Sequence, residues 1–365
     1  MNVLTQTQLT HMQSQGVRWV EGNDVGLSRH GGAGPTDHKA LTFASQTVMI
    51  PLFSDQVKSS PFSAKKSDDN EQILIFEHDK LISAAQSPST PAFYKLTTKE
   101  GIPYSKIATL HSNDVLATTV LQTCVRYRNR ETSCQFCAIE ESLVNGKTIA
   151  HKSPQQLAEV AKAAVELDGV KQLVMTTGTP KTLDRGAAVL VASARAVRAV
   201  VDIPIQAQCE PPDDDHWFQD LKDAGVDALG MHLEAVTDRV RKKIMLGKAS
   251  VPLTRYMSAF VAAVAVFGKG NVSTYILAGL GDTEEEILVM SQQLIAIGVY
   301  PFVVPFVPVK GTPLEDYPMP DNAMLDRLFT VLGPMLYRHG MASETLKAGC
   351  AKCGACSSLK SYEKP

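Results

Sequence analysis

The sequence predicts an α/β protein: a partial (βα)6, TIM-like barrel, preceded by a small strand-rich domain and followed by a cysteine-rich tail. Three observations predict it. From Ser153 onward, short apolar runs alternate with segments of helical periodicity, the signature of βαβ units on a parallel sheet. No Gly-x-Gly-x-x-Gly turn follows the first of these strands, so a β/α barrel is favoured over a dinucleotide-binding sheet. Six of the seven cysteines fall in two tight triplets, a poor disulfide framework and a good metal pattern in a reducing compartment.

Residues 1–114 are expected to form the strand-rich domain. A possible short helix precedes a Gly-rich turn, Arg29 to Pro35, which lacks a following Lys-Ser/Thr and reads as a plain turn. Strand-like runs follow at Thr47–Phe53, Ile73–Phe76 and Ile107–Leu110. Asn113-Asp114 is placed to turn a hairpin into Val115–Val120. The Ser/Lys/Asp-rich stretch from Lys58 to Glu71 reads as an exposed loop.

The barrel is expected over 115–340. Its strands are Val115–Leu121, Gln172–Thr177, Ile203–Cys209, Ala228–Leu233, Ser273–Leu280 and Phe302–Val307. Ser153-Pro154 is an N-cap with proline at the first helical position, and Gly169 ends that helix. Further helices are expected at Arg185–Val201, His216–Ala224, Thr237–Ile244, Thr254–Phe267, Glu284–Ile297 and Asn322–Arg338. In such barrels chemistry sits at the C-terminal strand ends, and Cys124 falls just after the first strand. Alternation puts Gln206, Gln208 and Glu210 on one face of the third strand.

Charge and composition exclude other classes. A net charge of −2 and a pI near 6.5 argue against a nucleic-acid surface or polybasic membrane anchor. The polar N-terminus lacks the core of a signal peptide, and the apolar run Val261–Phe267 is short for a bilayer span, so a cytoplasmic protein is expected.

The chemistry-bearing stretch is LQTCVRYRNRETSCQFCAIE. Cys124, Cys134 and Cys137 form C-x9-C-x2-C with Phe136 before the last cysteine. Three thiolates can hold three corners of a 4Fe–4S cubane and leave the fourth iron open. A structural zinc site wants four protein ligands, and no fourth Cys or His lies within this stretch. The gap carries Arg126, Arg128 and Arg130, which read as solvated or as meeting an electron donor or anionic substrate. Near the C-terminus, Cys350, Cys353 and Cys356 form C-x2-C-x2-C. That spacing suits an auxiliary 4Fe–4S cluster, with a zinc knuckle as the rival. Its fourth ligand is open among Cys209, Ser357, Ser358, a distant residue and the substrate. Cys209 also reads as a small buried strand residue.

The first triplet resembles the cluster loop of the radical S-adenosylmethionine (SAM) superfamily, whose usual spacing is C-x3-C-x2-C; nine residues stand in the first gap here. Other strand ends are similar to biotin-synthase relatives. Thr176-Thr177-Gly178 resembles the turn that receives the SAM amino group, and Gly230 to Glu234 the strand offering a polar residue to SAM. Leu253-Thr254-Arg255 resembles the position whose arginine pairs with the SAM carboxylate. Ala278 to Thr283, with Leu280, is close to a GLGET turn, and Pro305 to Leu314, with Val307, to a segment near the adenine. The whole chain also resembles a radical SAM family of nitrilase-containing gene clusters linked to cyanide assimilation.

The resemblance implies metal ligation by Cys124, Cys134 and Cys137, with Cys350, Cys353 and Cys356 on an auxiliary cluster. It implies SAM contacts from Phe136, Thr176, Thr177, Gly178, Gln208, His232, Glu234, Arg255, Leu280 and Val307. From the residues alone, His232 reads equally as a core histidine; Glu234, a strand-end acid after an apolar run, is favoured as functional over a salt-bridged surface acid, and the alternative for Arg255 is a helix-surface residue. The implied function is reductive cleavage of SAM and hydrogen abstraction from a small, nitrogen-containing molecule, with flavodoxin or ferredoxin as electron donor. The alternatives are sulfur insertion with the auxiliary cluster as donor and, further off, an Fe–S electron carrier.

Overall fold

The computed structural model describes residues 4–20, 38–44, 46–52, 55–69 and 71–364. Helix α1 (Gln6–Gln15) begins at a capping box in which Thr5 and Gln8 satisfy each other's backbone N–H. Strands β1 (Arg18–Trp19), β2 (His38–Phe43), β3 (Gln46–Pro51), β4 (Phe62–Lys66), β5 (Ile73–Glu77) and β6 (Lys80–Ala85) follow. β2 and β3 form an antiparallel hairpin, and the others a sheet ordered β1-β4-β5-β6. Their core includes Met12, Val17, Leu41, Val48, Phe62 and Ile75.

The stretch expected to be an exposed loop at Lys58–Glu71 is corrected here. Its middle is β4, paired antiparallel with β5, and Phe62 and Ala64 are fully buried. The polar composition concealed a two-residue alternation whose apolar members face the core. The Gly-rich turn Arg29 to Pro35 lies outside the described residues.

The main sheet has seven strands: β7 (Thr109–His111), β8 (Val115–Thr119), β9 (Gln172–Thr176), β10 (Ile205–Gln208), β11 (Ala228–Gly230), β12 (Val272–Ala278) and β13 (Val299–Pro305). They lie side by side in chain order. β7 is the antiparallel edge, and β8 to β13 are all parallel. Six parallel strands in sequential order are the expected partial barrel. The sheet reaches back across residue 114 to Thr109, because the β7–β8 hairpin joins the strand-rich segment to it. Ser112 takes a positive φ of 59° at that hairpin.

The intervening helices are α2 (Glu141–Val144), α3 (Pro154–Asp168), α4 (Ala187–Arg198), α5 (His216–Asp223), α6 (Asp238–Ile244), α7 (Leu253–Phe267), α8 (Glu284–Ala296) and α9 (Asn322–Arg338). α3 starts at the Ser153 capping box and stops at Gly169, as the sequence predicts. The largest apolar core lies between these helices and the sheet.

Two short tail helices, α10 (Cys350–Cys353) and α11 (Leu359–Tyr362), dock against the sheet. Gly349 donates its N–H to Gln172 Oε1 at 2.8 Å, and Cys350 its N–H to Gln206 Oε1 at 3.1 Å. A Cβ on Gly349 would stand 2.3 Å from the Gln206 amide, so the tail can approach this closely only through glycine. Ser357 Oγ donates to the Val303 carbonyl at 2.6 Å, and Gln13 of α1 donates to the Ala355 carbonyl at 2.8 Å. The polar inward face of β10 is therefore where the tail is received. Among the described residues, no helix is long and apolar enough to cross a membrane.

Candidate active site

The loop carrying the first triplet leaves β8 and is clamped to three neighbouring strand and helix ends. Val125 donates its N–H to the Thr179 carbonyl at 2.9 Å, beyond β9. Gln135 N–H bonds the Ile244 carbonyl at 2.8 Å at the end of α6, and Gly247 N–H the Thr132 carbonyl at 2.9 Å. Arg126 is buried and ion-paired with Glu210, just past β10, and Thr179 Oγ1 adds a 2.8 Å hydrogen bond to the same carboxylate. Burial alone would lower the Arg126 pKa and raise that of Glu210. The opposite charges outweigh it on both sides, so both groups stay ionised. Arg126 is thus a structural clamp, and Arg128 is a mostly exposed partner of Glu140 at 2.9 Å. The nine-residue gap in the cysteine motif is a folded strap.

Gly178 serves the same strap. A Cβ there would come within 2.1 Å of the Thr123 carbonyl oxygen, so only glycine lets the β9 turn lie against the chain beside Cys124. Burial pushes the Cys137 thiol up to about 12, and Cys134 also well up. Such thiols become ligands only when a metal displaces their protons. Among the described residues, no three His, Cys, Asp or Glu side chains converge as a single-ion site; a cubane distributes its thiolates over separate irons.

A cavity of about 290 Å³ opens beside this loop. Of the predicted contact residues, Phe136, Thr176, Gln208, His232, Glu234 and Val307 lie in its wall. The other four are not part of that wall. Thr177 packs on Gly186 and donates its hydroxyl to the Gly178 carbonyl. Gly178 holds the strap. Leu280 is buried in an apolar cluster with Cys134 and Phe136 packed against it, so it supports the motif from below. Arg255 is placed away from the cavity: on α7 its guanidinium meets Asp215 at 2.6 Å and the Pro212 carbonyl. The family resemblance suggested a pocket arginine, but here a carboxylate beyond β10 engages it.

Sequence reasoning missed two lysines. Lys248 Nζ lies 2.8 Å from Glu234 Oε2, both largely buried. Burial pulls the Lys248 pKa down, but Glu234, with Tyr256 and Glu210, more than reverses this, so the ammonium persists. Glu234 itself takes a left-handed φ of 65°, a conformation that costs a non-glycine residue energy and aims its side chain. Lys152 also lines the cavity, donating to Gln122 Oε1 at 3.0 Å and the Ile149 carbonyl at 3.1 Å. Burial drops its pKa to about 7. Neither lysine belongs to a spacing motif, and only the folded chain brings them to the site. His232 Nδ1 accepts the Tyr275 N–H at 3.2 Å, which makes Nε2 the protonated nitrogen of the neutral ring; burial, and then Lys248, hold its pKa down at about 3.

The second triplet faces the same cavity, whose wall includes Cys350, Cys353 and Cys356. Gln208 Nε2 stands 3.2 Å from Cys350 Sγ, and His111 Nε2 3.4 Å from Cys356 Sγ. Cys209 is buried in the main core, with its thiol pushed up to about 12 by burial and then by Glu210. Ser357 and Ser358 turn their hydroxyls to Val303 and Thr10.

Residues 127–294 match the Radical SAM superfamily. The chain is 30% identical over 172 residues to a lipoyl synthase of Marinobacter nauticus, covering 46% of this chain and 47% of that one. It is 27% identical over 212 residues to a bacteriochlorophyllide c C-7(1)-hydroxylase of Chlorobaculum limnaeum, covering 53% and 52%. The chain spans about half the length of the curated relatives it matches. Among solved structures, methylornithine synthase (PylB) superposes with a TM-score of 0.48 at 17% identity, covering 67% of this chain and 71% of that one. That superfamily implies a 4Fe–4S cluster and SAM, and the three half-buried thiols, with Cys137 in the cavity wall, suit such a group in donor type and placement. Residues 127–294 form a radical SAM superfamily domain.

Proposed function

We propose that this protein is a radical SAM enzyme acting on a small molecule held between two iron–sulfur clusters. The observation that supports this reading is that one cavity has in its wall Cys137 of the first triplet, with its neighbour Phe136, and all three cysteines of the second. Cys124, Cys134 and Cys137 would hold the first cluster, and Cys350, Cys353 and Cys356 the second. When bound, the first cluster and SAM supply reductive cleavage to a 5′-deoxyadenosyl radical that removes a substrate hydrogen atom.

The chain's own residues bind, orient and exclude water. The His232 Nε2–H is a neutral donor whose ring is fixed by the Tyr275 N–H. Glu234, ion-paired with Lys248 at 2.8 Å, is an acceptor suited to hydroxyls or an ammonium. Phe136 and Val307 supply apolar wall. The strap and the Arg126–Glu210 pair keep the cysteine loop against the strand ends, where distance to the substrate decides the rate.

Anaerobic reconstitution, reduction with dithionite and addition of SAM test the reading: methionine and 5′-deoxyadenosine are expected, and their absence sinks it. Deuterium transfer from candidate substrates into 5′-deoxyadenosine would identify the molecule. A second reading, sulfur insertion, is favoured by the tail cysteines facing the same cavity. It predicts product sulfur drawn from a 34S-labelled second cluster, whereas hydrogen abstraction alone leaves that label in the protein.

A further inference from the structure

Three thiolates account for three corners of a cubane at the tail, and the fourth needs another donor. The sequence offered Cys209, Ser357 and Ser358. Cys209 is packed in the apolar core, and its N–H is tied to the Gly230 carbonyl. Ser357 Oγ donates to Val303 at 2.6 Å and accepts the Leu359 N–H; Ser358 Oγ meets Thr10 Oγ1 at 2.7 Å. Both serines are fully buried and committed away from the thiols.

Each tail thiol nevertheless has a neighbour from the half-barrel. Cys350 has Gln208 at 3.2 Å, with the Tyr275 hydroxyl also bonded to it. Cys353 has Ser112, and Cys356 has His111 Nε2 at 3.4 Å. Their chemistry separates them as ligands. The Gln208 amide nitrogen is a donor, already directed at Gln206 Oε1 at 2.8 Å as well. A phenol or an alcohol must lose a proton to bind iron well, whereas a neutral imidazole binds iron directly, as histidines do in mixed His/Cys clusters. His111 is also held in place. It ends β7 opposite Val115, and the next residue, Ser112, adopts the strained left-handed backbone that turns the hairpin onto the tail. The same hairpin tip thus meets two of the three thiols, and His111 lies in the cavity wall with all of them.

We propose that His111, through Nε2, is the fourth protein ligand of the tail cluster, making it a Cys350/Cys353/Cys356/His111 site. The proposal rests on the reading of the tail triplet as an iron–sulfur site. It gives that cluster a closed coordination shell supplied by the edge hairpin. Compared with an all-thiolate cluster, the replaced negative charge raises the reduction potential.

The test is nitrogen hyperfine spectroscopy on reconstituted, reduced full-length protein labelled with 15N only at histidine, without added SAM. A strong 15N coupling of a directly bound nitrogen is expected in the wild type. It should vanish in His111→Ala and in the Cys350→Ala/Cys353→Ala/Cys356→Ala variant. His111→Cys should retain the iron of the tail cluster, lack the coupling and show a lower potential. Absence of the coupling in wild type, only the weak coupling of a hydrogen-bonded ring, or its persistence in His111→Ala would overturn the proposal. If the triple cysteine variant keeps the full iron content, the tail-cluster reading itself falls and takes the ligand with it. If it loses that iron while the wild type shows no coupling, only the His111 assignment fails.

Discussion

Lys152 is a cation buried in a cavity wall with two uncharged acceptors beside it, and its properties follow from that imbalance. Burial lowers its pKa from the ordinary 10.5 to about 7. Between those values the unfolded chain holds a proton that the folded chain has lost, so this residue makes stability rise as pH climbs from 7 towards 10.5. Below 7 the folded protein bears the full cost of the buried charge. Lys152→Met is therefore expected to raise stability at pH 7 by about 1–4 kcal/mol. Urea melts at pH 7 and pH 9 should show the gap between variant and wild type narrowing at the higher pH. The Lys248–Glu234 pair behaves in the opposite way. Lys248→Met leaves Glu234 buried without its cation and should cost roughly 3–5 kcal/mol, while Lys248→Met/Glu234→Leu recovers most of that. A double-mutant cycle by denaturant melts checks the coupling. Neither lysine was legible in the sequence, because no local pattern marks a residue whose partner stands 14 or 30 positions away on another loop.

At the scale of elements, the alternating strands and helices of the half-barrel were legible because buried parallel strands are continuous apolar runs, and helix ends carry caps such as Ser153 and Gly169. β4 was not, since Ser63, Lys65 and Lys66 diluted an alternation only five residues long. The strap between Cys124 and Cys134 was legible as a departure in spacing, but its folding depends on bonds to Thr179, Ile244 and Glu210, which the fold alone brings near. Gly178 is the position where this element is least tolerant. In Gly178→Ala the new methyl must displace the Thr123 carbonyl, against which it would stand at 2.1 Å. We expect the variant to fold, because the strand core is untouched, and to lose most of the first-cluster iron. Iron analysis in the Cys350→Ala/Cys353→Ala/Cys356→Ala background isolates that site; iron retained near the parent level would show that the strap accommodates the methyl.

Over the whole molecule, the tail is what converts an open half-barrel into an enclosed site. The sequence showed Gln206 and Gln208 as polar residues on an inward face and could not say what they faced, because their shared partner in the tail lies more than 140 positions away at Cys350. In the fold, Gln206 accepts from Gln208 and from the Cys350 N–H and donates to Ser273 Oγ at 3.1 Å. It is therefore the hub on which the second triplet seats. Replacing it with leucine keeps the volume but leaves the half-buried Cys350 N–H and the buried Ser273 hydroxyl without this partner, at up to about 1–3 kcal/mol each. The penalty falls on docking more than on the barrel, because the strand ladder of β10 to β9 and β11 is made by backbone groups. Local opening of the tail should then become about tenfold or more frequent, one decade for each 1.4 kcal/mol. Lys352 and Lys360 sit within the docked segment and report that opening. In Gln206→Leu, trypsin is expected to cut after these two lysines at least tenfold faster than in wild type, while peptides from β8 to β13 keep their wild-type resistance. Equal acceleration throughout the chain would instead mean that Gln206 supports the whole barrel.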